Sequence, residues 1–106
     1  MNLYAPDTEE KVLSQTAQKV KIDEPSMYRV LLHNDDYTSM EFVVEILMVI
    51  FNKSIEKATG IMLNVHNKGI GVCGVYTYEI AETKVKTVHS FAMEKGFPLK
   101  CTMEKD

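Results

Sequence analysis

The side chains best suited to chemistry are two adjacent carboxylates, Asp35 and Asp36, which stand between Asn34 and Thr38. Their oxygens could hold a cation at the surface; the alternative is a solvated turn in which Asn and Asp satisfy local backbone groups. An enzyme could use His66 as a general base oriented by one of the carboxylates. The sequence supplies no nucleophile in an elbow-like motif and no glycine-rich phosphate loop. These residues therefore favour binding over catalysis.

A metal or cofactor site is not indicated by the remaining reactive side chains. His33 and His89 show no partner pattern, so both are expected to be structural or surface residues, and nothing places three ligands for zinc. Cys73 and Cys101 are too few and too far apart for a zinc ribbon. Each cysteine lies in an apolar, strand-like run, which predicts a buried free thiol. We expect no metal and no cofactor.

Composition predicts one soluble globular domain, because the 106 residues are 45% hydrophobic and 25% charged. A formal net charge of −3, with scattered lysines, gives no electrostatic footprint for nucleic acid or an anionic membrane. No apolar run reaches the roughly 18 residues that span a bilayer, and the N-terminus lacks the pattern of a signal peptide. We expect a cytoplasmic monomer.

The acidic loop must be positioned by the elements on either side of it. Residues 27–32 have the β-branched, aromatic and aliphatic content of a strand, whereas residues 40–51 form an apolar run too long for one and predict a helix. Thr38, followed three residues later by Glu41, fits a capping box that would fix the far end of the loop.

A second helix is predicted from Ile55 to about Asn67, with Ser54 as its N-cap and Gly69 as its stop. His66 falls at the exposed C-terminal end of this helix. The residues predicted to share its inner face are Ile55, Ala58, Met62 and Val65.

The C-terminal part reads as strand, helix and strand. Gly71 and Gly74 in the strand 70–76 suggest a bulge or a close backbone approach. A helix over about residues 78–95 carries one apolar stripe, and residues 99–103 alternate as a half-buried strand does. The stripe consists of Ala81, Val85, Val88 and Ala92. The order β-α-α-β-α-β predicts an α+β, two-layer domain over residues 25–106: a three-stranded antiparallel sheet packed against three helices. Residues 1–24 are predicted to be a flexible, disordered extension.

The loop and helix start, Asn-Asp-Asp-Tyr-Thr-x-Met-Glu-Phe-Val over residues 34–43, resemble the signature of the ClpS family. Members of that family are adaptors that deliver proteins to a ClpA-type AAA+ unfoldase for degradation. Ser39 departs from the pattern, because proline often occupies that position. Further segments resemble the family in the same order over roughly residues 25–105. They are residues 25–28, 62–66, 72–75, 79–85 and 98–102.

The resemblance implies a ligand: the N-terminal Leu, Phe, Tyr or Trp of a protein to be degraded. It implies that Asn34 and His66 accept hydrogen bonds from the α-ammonium and that Asp35 contributes charge directly or through water. It assigns Asp36 and the region of Thr38 to holding the loop and meeting the peptide backbone. The pocket for the first side chain would be lined by Met40, Val43, Ile46, Met62, Val65 and Leu99.

Two further roles follow from the same resemblance. Glu79 and Lys84 would dock on the N-terminal domain of the unfoldase, although exposed charges on a helix often form only a solvated face. The extension before Pro25 would enter the pore of the unfoldase during hand-off. An alternative is a regulatory module that binds the unfoldase and recognises no N-terminal residue.

Overall fold

The computed structural model describes residues 24–106, in which the predicted order of elements is confirmed. The predicted extension, residues 1–24, lies outside the described residues except for Glu24. The elements are strand β1 (Met27–His33), helix α1 (Met40–Val49), helix α2 (Ile55–Lys68), strand β2 (Ile70–Thr77), helix α3 (Tyr78–Lys95) and strand β3 (Lys100–Lys105).

The three strands form one sheet in the order β2-β1-β3, and β1 pairs antiparallel with both neighbours. Val30 and Leu32, which alternate along β1 on one face, are fully buried in the core. Residues of α1, α2 and α3 belong to the same buried cluster. The predicted two-layer α+β architecture is confirmed.

Helices α1 and α3 contribute their apolar stripes to this core. In α1 the buried residues include Ile46 and Leu47, which have no exposed surface; burial of such a side chain contributes about 1.5–3 kcal/mol. In α3 the predicted stripe is found, with Ala81, Val88 and Ala92 buried and Val85 partly buried. Alanine at two of these positions lets the helix backbone lie close to the sheet.

Helix α2 begins and ends as predicted, but one of its inner-face assignments is wrong. The Ser54 hydroxyl accepts a hydrogen bond from the backbone N–H of Lys57, and Gly69 ends the helix in the left-handed conformation, with φ of 88°. Ile55 is 56% exposed, although its helical phase matches that of the buried residues Ala58 and Val65. Ile55 is the first residue of the helix. The spacing of apolar residues predicts which face of a helix is apolar, but it does not show whether a neighbouring element covers the first turn of that face.

The two glycines of β2 bring the strand close to its surroundings. A Cβ at Gly71 would lie 2.7 Å from Cγ2 of Val65 and 3.2 Å from the carbonyl oxygen of Ile61, so only glycine lets β2 approach α2 this closely. Gly74 lies at a bulge, where the pairing register with β1 shifts, and a Cβ there would collide with the ring of Tyr76. The predicted bulge and close approach are both confirmed.

The cysteines and two of the histidines serve the fold. Cys73 and Cys101 are buried free thiols, as predicted, and burial raises the pKa of Cys101 to about 12. His33 and Thr102 form a 2.7 Å hydrogen bond across the sheet through Nε2 and Oγ1. Nε2 of His89 accepts a 3.0 Å hydrogen bond from the backbone N–H of Cys101, which ties β3 to α3. No helix within residues 24–106 is long and apolar enough to cross a membrane.

Candidate functional site

The acidic loop is joined to the C-terminal end of α2 by a backbone hydrogen bond. The N–H of Asn34 donates to the carbonyl oxygen of Gly69 over 2.9 Å. Gly69 directly follows α2, whose last turn carries His66. This bond therefore holds Asn34 near His66, although the two residues are 32 positions apart in the chain (66 − 34).

Asp35 holds the loop in shape. Its Oδ1 accepts hydrogen bonds from the backbone N–H groups of Tyr37 (2.8 Å) and Thr38 (2.7 Å), and its Oδ2 accepts from the hydroxyl of Thr38 (2.7 Å). Partial burial acts to raise the pKa of this carboxyl, but the hydrogen bonds from Thr38 and Tyr37 outweigh it and hold the pKa below its ordinary value. Asp35 is therefore a stable negative charge at the centre of the loop.

Two predicted roles in this loop are wrong. Asp36 has no side-chain hydrogen bond within residues 24–106, so Asp35 and not Asp36 holds the loop. Thr38 is not the cap of α1, because its hydroxyl is engaged by Asp35. The helix starts one residue later, and the N-cap is Ser39, whose Oγ accepts from the backbone N–H of Phe42 over 3.1 Å. The predicted capping box with Glu41 therefore does not form.

A cavity of about 400 Å³ opens between the loop, the start of α1 and the second half of α2. Its lining residues are Asn34, Asp35, Asp36, Tyr37, Thr38, Ser39, Met40, Val43, Met62, Val65 and His66. Val43 and Val65 are buried, at 5% and 3% exposed, whereas Met40 is 45% exposed at the rim. The volume lies within the range of small-molecule sites, about 300–1,000 Å³.

Part of the cavity lining consists of hydrogen-bonding groups that the fold does not use. The side chains of Asn34, Asp36 and His66 are exposed, and none has a protein hydrogen-bond partner within the described chain. Next to them lies the carboxylate of Asp35. A ligand with a cationic, hydrogen-bond-donating end and an apolar end would match both the polar and the apolar lining residues.

The structure brings most of the predicted pocket residues together, with two exceptions. Met40, Val43, Met62 and Val65 line the cavity, whereas Ile46 and Leu99 are 0% and 4% exposed and lie in the core. Their contact with a ligand stays a prediction. Sequence reasoning missed Tyr37 and Ser39 as lining residues. The sequence shows only that both residues lie inside the acidic loop, and this does not indicate which side chains of the loop face the cavity.

The two residues predicted to dock on an unfoldase differ in their surroundings. Glu79 is exposed in the first turn of α3. Lys84 is half-buried, and its Nζ donates a 2.7 Å hydrogen bond to the carbonyl oxygen of Ile50. The same ammonium lies 5.7 Å and 5.3 Å from the ring centroids of Phe51 and Tyr76. Lys84 thus has a role in the fold that the sequence did not reveal, and its docking role stays a prediction.

Comparison with known proteins identifies the family. Residues 23–102 match the family model described as ATP-dependent Clp protease adaptor protein ClpS. The chain belongs to the ClpS family. A ClpS adapter protein from Desulforapulum autotrophicum is 61% identical over 106 residues, 100% of both chains. Another, from Desulfatibacillum aliphaticivorans, is 59% identical over 105 residues, which cover 96% of this chain and 99% of the relative.

A solved structure of a ClpS protein has the same fold. Agrobacterium tumefaciens ClpS2 bound to L-phenylalaninamide matches with a TM-score of 0.76 and 40% sequence identity, over 78% of this chain and 100% of that one. As a ClpS protein, the chain is an adaptor of the Clp protease and not an enzyme. Within residues 24–106, no group of three or more His, Cys, Asp or Glu side chains is placed to hold a metal ion.

Proposed function

We propose that the chain binds the free α-amino group and the side chain of an N-terminal Leu, Phe, Tyr or Trp, and delivers proteins that carry these residues to a ClpA-type AAA+ unfoldase. Degradation by the Clp protease would follow. In this proposal the core domain, residues 25–106, captures the substrate, and the extension, residues 1–24, takes part in delivery.

The observation that carries the proposal is a cavity whose lining combines unpaired polar groups with apolar side chains. The polar lining residues are Asn34, Asp36 and His66, whose side chains have no protein hydrogen-bond partner in the described chain, together with the charged Asp35. The apolar lining residues are Met40, Val43, Met62 and Val65. An N-terminal residue with a large apolar side chain combines an ammonium and an apolar group within a few ångströms of each other.

The ligand of the related structure supports this assignment. L-Phenylalaninamide, to which ClpS2 is bound, has a free α-amino group and an aromatic side chain. In the proposed complex Asn34 and His66 accept hydrogen bonds from the ammonium, which requires an unprotonated ring nitrogen on His66. Asp35 adds its charge while it holds the loop, and Asp36 and Thr38 meet the peptide backbone.

The expected free energy of binding is suited to an adaptor that holds its substrate only briefly. Charge-assisted hydrogen bonds contribute about 1.5–3 kcal/mol each, and burial of a Leu or aromatic side chain contributes about as much again. Association costs remove a large part of this sum, which leaves a binding free energy near −8 kcal/mol, or micromolar affinity. Such a complex releases its substrate readily during hand-off.

The test compares two peptides that begin with Phe and differ only in N-acetylation. Calorimetric titration should show binding of the free peptide and at least a tenfold loss after acetylation, the equivalent of about 1.4 kcal/mol. A third peptide that begins with Ala controls for the apolar pocket. Equal affinity for the free and acetylated peptides would contradict recognition of the amino group.

The delivery step would use Glu79 and Lys84 of α3, docked on the N-terminal domain of the unfoldase. The alternative, a regulatory module without N-terminal recognition, predicts docking with no peptide binding at all. Binding assays with the isolated N-terminal domain, with and without a Phe-initial peptide, distinguish the two. We expect the protein to act as a monomer in the cytoplasm.

A further inference from the structure

The hydroxyl of Ser39 has an unused hydrogen at the cavity. Its Oγ accepts from the backbone N–H of Phe42 as the N-cap of α1. Within residues 24–106 no group accepts the hydroxyl's own hydrogen, and Ser39 is exposed and lines the cavity. A hydroxyl can accept and donate at the same time, so the cap bond leaves the donor free.

Three neighbouring donors of the loop are already engaged. The hydroxyl of Thr38 donates to Oδ2 of Asp35, and the backbone N–H groups of Tyr37 and Thr38 both donate to Oδ1. The carboxylates of Asp35 and Asp36 add only acceptors to the cavity, so the side-chain donors that the loop still offers are the amide of Asn34 and the hydroxyls of Tyr37 and Ser39. Asn34 is already the proposed partner of the ammonium and Tyr37 is 79% exposed, whereas Ser39 is held at the start of α1 by its cap bond. Acceptors suit an ammonium, but they do not suit a carbonyl oxygen.

An N-terminal residue places a carbonyl oxygen two bonds beyond the carbon that bears its ammonium. An acceptor that exchanges water for a protein donor keeps its hydrogen bond on binding, whereas one left without a partner costs affinity. We propose that the hydroxyl of Ser39 donates a hydrogen bond to the carbonyl oxygen of the bound N-terminal residue. This inference rests on the proposed function and adds a binding residue that acts on every substrate, whatever its first side chain.

The chain offers a matched control for the loss of the cap. Ser54 caps α2 in the same manner, through a hydrogen bond from the backbone N–H of Lys57, and it does not line the cavity. Both Ser39→Ala and Ser54→Ala remove a helix cap, whereas only the first removes a donor from the cavity. Ser39→Thr keeps both the cap acceptor and the donor.

The experiment measures the affinity of the full chain for phenylalaninamide and for 2-phenylethylamine, which has the same amine and ring but no carbonyl group. We expect Ser39→Ala to weaken phenylalaninamide binding about 2- to 10-fold, the range for one neutral hydrogen bond, and to leave 2-phenylethylamine binding unchanged. Ser54→Ala should change neither, and Ser39→Thr should restore wild-type affinity for phenylalaninamide.

Two outcomes would overturn the inference while the proposed function stands: Ser39→Ala binds phenylalaninamide as the wild type does, or it loses affinity for both ligands by the same factor. The second result would mean that the serine acts only through the shape of the loop. A wild-type protein that binds phenylalaninamide no better than N-acetylphenylalaninamide would instead overturn the proposed function itself, and this inference with it.

Discussion

At the scale of single residues, the two adjacent aspartates are chemically alike but structurally different. Asp35 accepts three hydrogen bonds within the loop, and Asp36 accepts none in the described chain. We expect Asp35→Ala to lower the free energy of unfolding by about 1–3 kcal/mol, because the loop loses charge-assisted bonds. Asp36→Ala is the matched control and should leave stability unchanged within about 0.5 kcal/mol. Urea denaturation of both variants measures the difference, and equal losses would refute the assigned division of roles.

The lowered pKa of Asp35 predicts how its contribution depends on pH. The carboxyl takes up a proton less readily in the folded state than in the unfolded state, so its stabilising effect is complete above the unfolded value of about 3.9. The effect fades as the pH falls through the folded pKa. Asp35→Asn removes the titrating group, so the stability gap between wild type and variant should be constant near neutral pH and shrink below about pH 4. A gap that widens on acidification would contradict the direction of the pKa shift.

In the proposed complex, Met40 would select the first residue of a substrate by its shape. It lies at the rim of the cavity and is 45% exposed. In the proposed complex it would crowd a side chain branched at Cβ, so we expect Ile and Val at the first position to be rejected, since specificity often rests on a clash with the wrong ligand. Met40→Ala should admit peptides that begin with Ile or Val while it still binds the Leu peptide. Competition titrations measure these affinities, and persistent rejection would place the filter elsewhere.

At the scale of elements, Lys84 links the end of α1 to α3 and β2. Its ammonium donates to the carbonyl oxygen of Ile50 and lies over two aromatic rings. Lys84→Met keeps the aliphatic stem and removes these contacts, which we expect to cost about 1–3 kcal/mol of stability. Lys86→Met on the same helix is the control, because that side chain is 77% exposed and its pairing with Glu82, at 3.9 Å, is weak. Thermal denaturation should separate the two variants.

The structural role of Lys84 affects how docking on the unfoldase can be measured. Suppose that Lys84→Met lowers stability and Lys86→Met does not. A loss of docking in Lys84→Met could then have two causes: the lost contact of the lysine with the unfoldase, and a displacement of the end of α1 that the lysine holds. Glu79 has no such role in the described fold and is the cleaner probe of the surface. Equal stability of the two lysine variants would instead leave Lys84 available as a docking residue alone.

The elements themselves were largely predictable because their signals are local. The caps Ser54 and Gly69, the apolar stripe of α3 and the glycines of β2 each lie within or beside the element that they define. The cap of α1 was misassigned because Thr38 and Ser39 offer adjacent hydroxyls. Only the three-dimensional loop shows that Asp35 engages the first of them.

The remaining contacts depend on pairs of residues that are distant in sequence. The bond between Lys84 and Ile50 spans 34 positions, and the bond between His89 and Cys101 joins a helix to the next strand. No periodicity predicts such a pair. The same limit applies to the cavity, since resemblance named most of its residues but could not show that Ile46 and Leu99 lie in the core.

At the scale of the whole molecule, central strand β1 separates the two proposed sites. The acidic loop follows its last residue, His33, whereas Thr77, which directly precedes α3 and Glu79, pairs with its first residue, Met27. Strand β1 has seven residues, so its ends lie about 20 Å apart at a rise of ~3.3 Å per residue. An N-terminal residue in the cavity would therefore leave the surface around Glu79 free. Capture and docking are expected to occur together without competition.

The role of the extension, residues 1–24, can be tested separately from peptide binding and from docking. The cavity and the surface of α3 lie within residues 24–106, so deletion of Met1 to Lys19 removes no residue of either. We expect the truncated protein to bind a Phe-initial peptide and the N-terminal domain of the unfoldase within about twofold of the full chain. We expect degradation of a Phe-initial protein by unfoldase and peptidase to fail, because the extension is proposed to take part in delivery. Glu79→Lys is the contrasting control, since it should lose docking and degradation together and keep peptide affinity. Undiminished degradation by the truncated protein would show that the described domain delivers its substrate unaided.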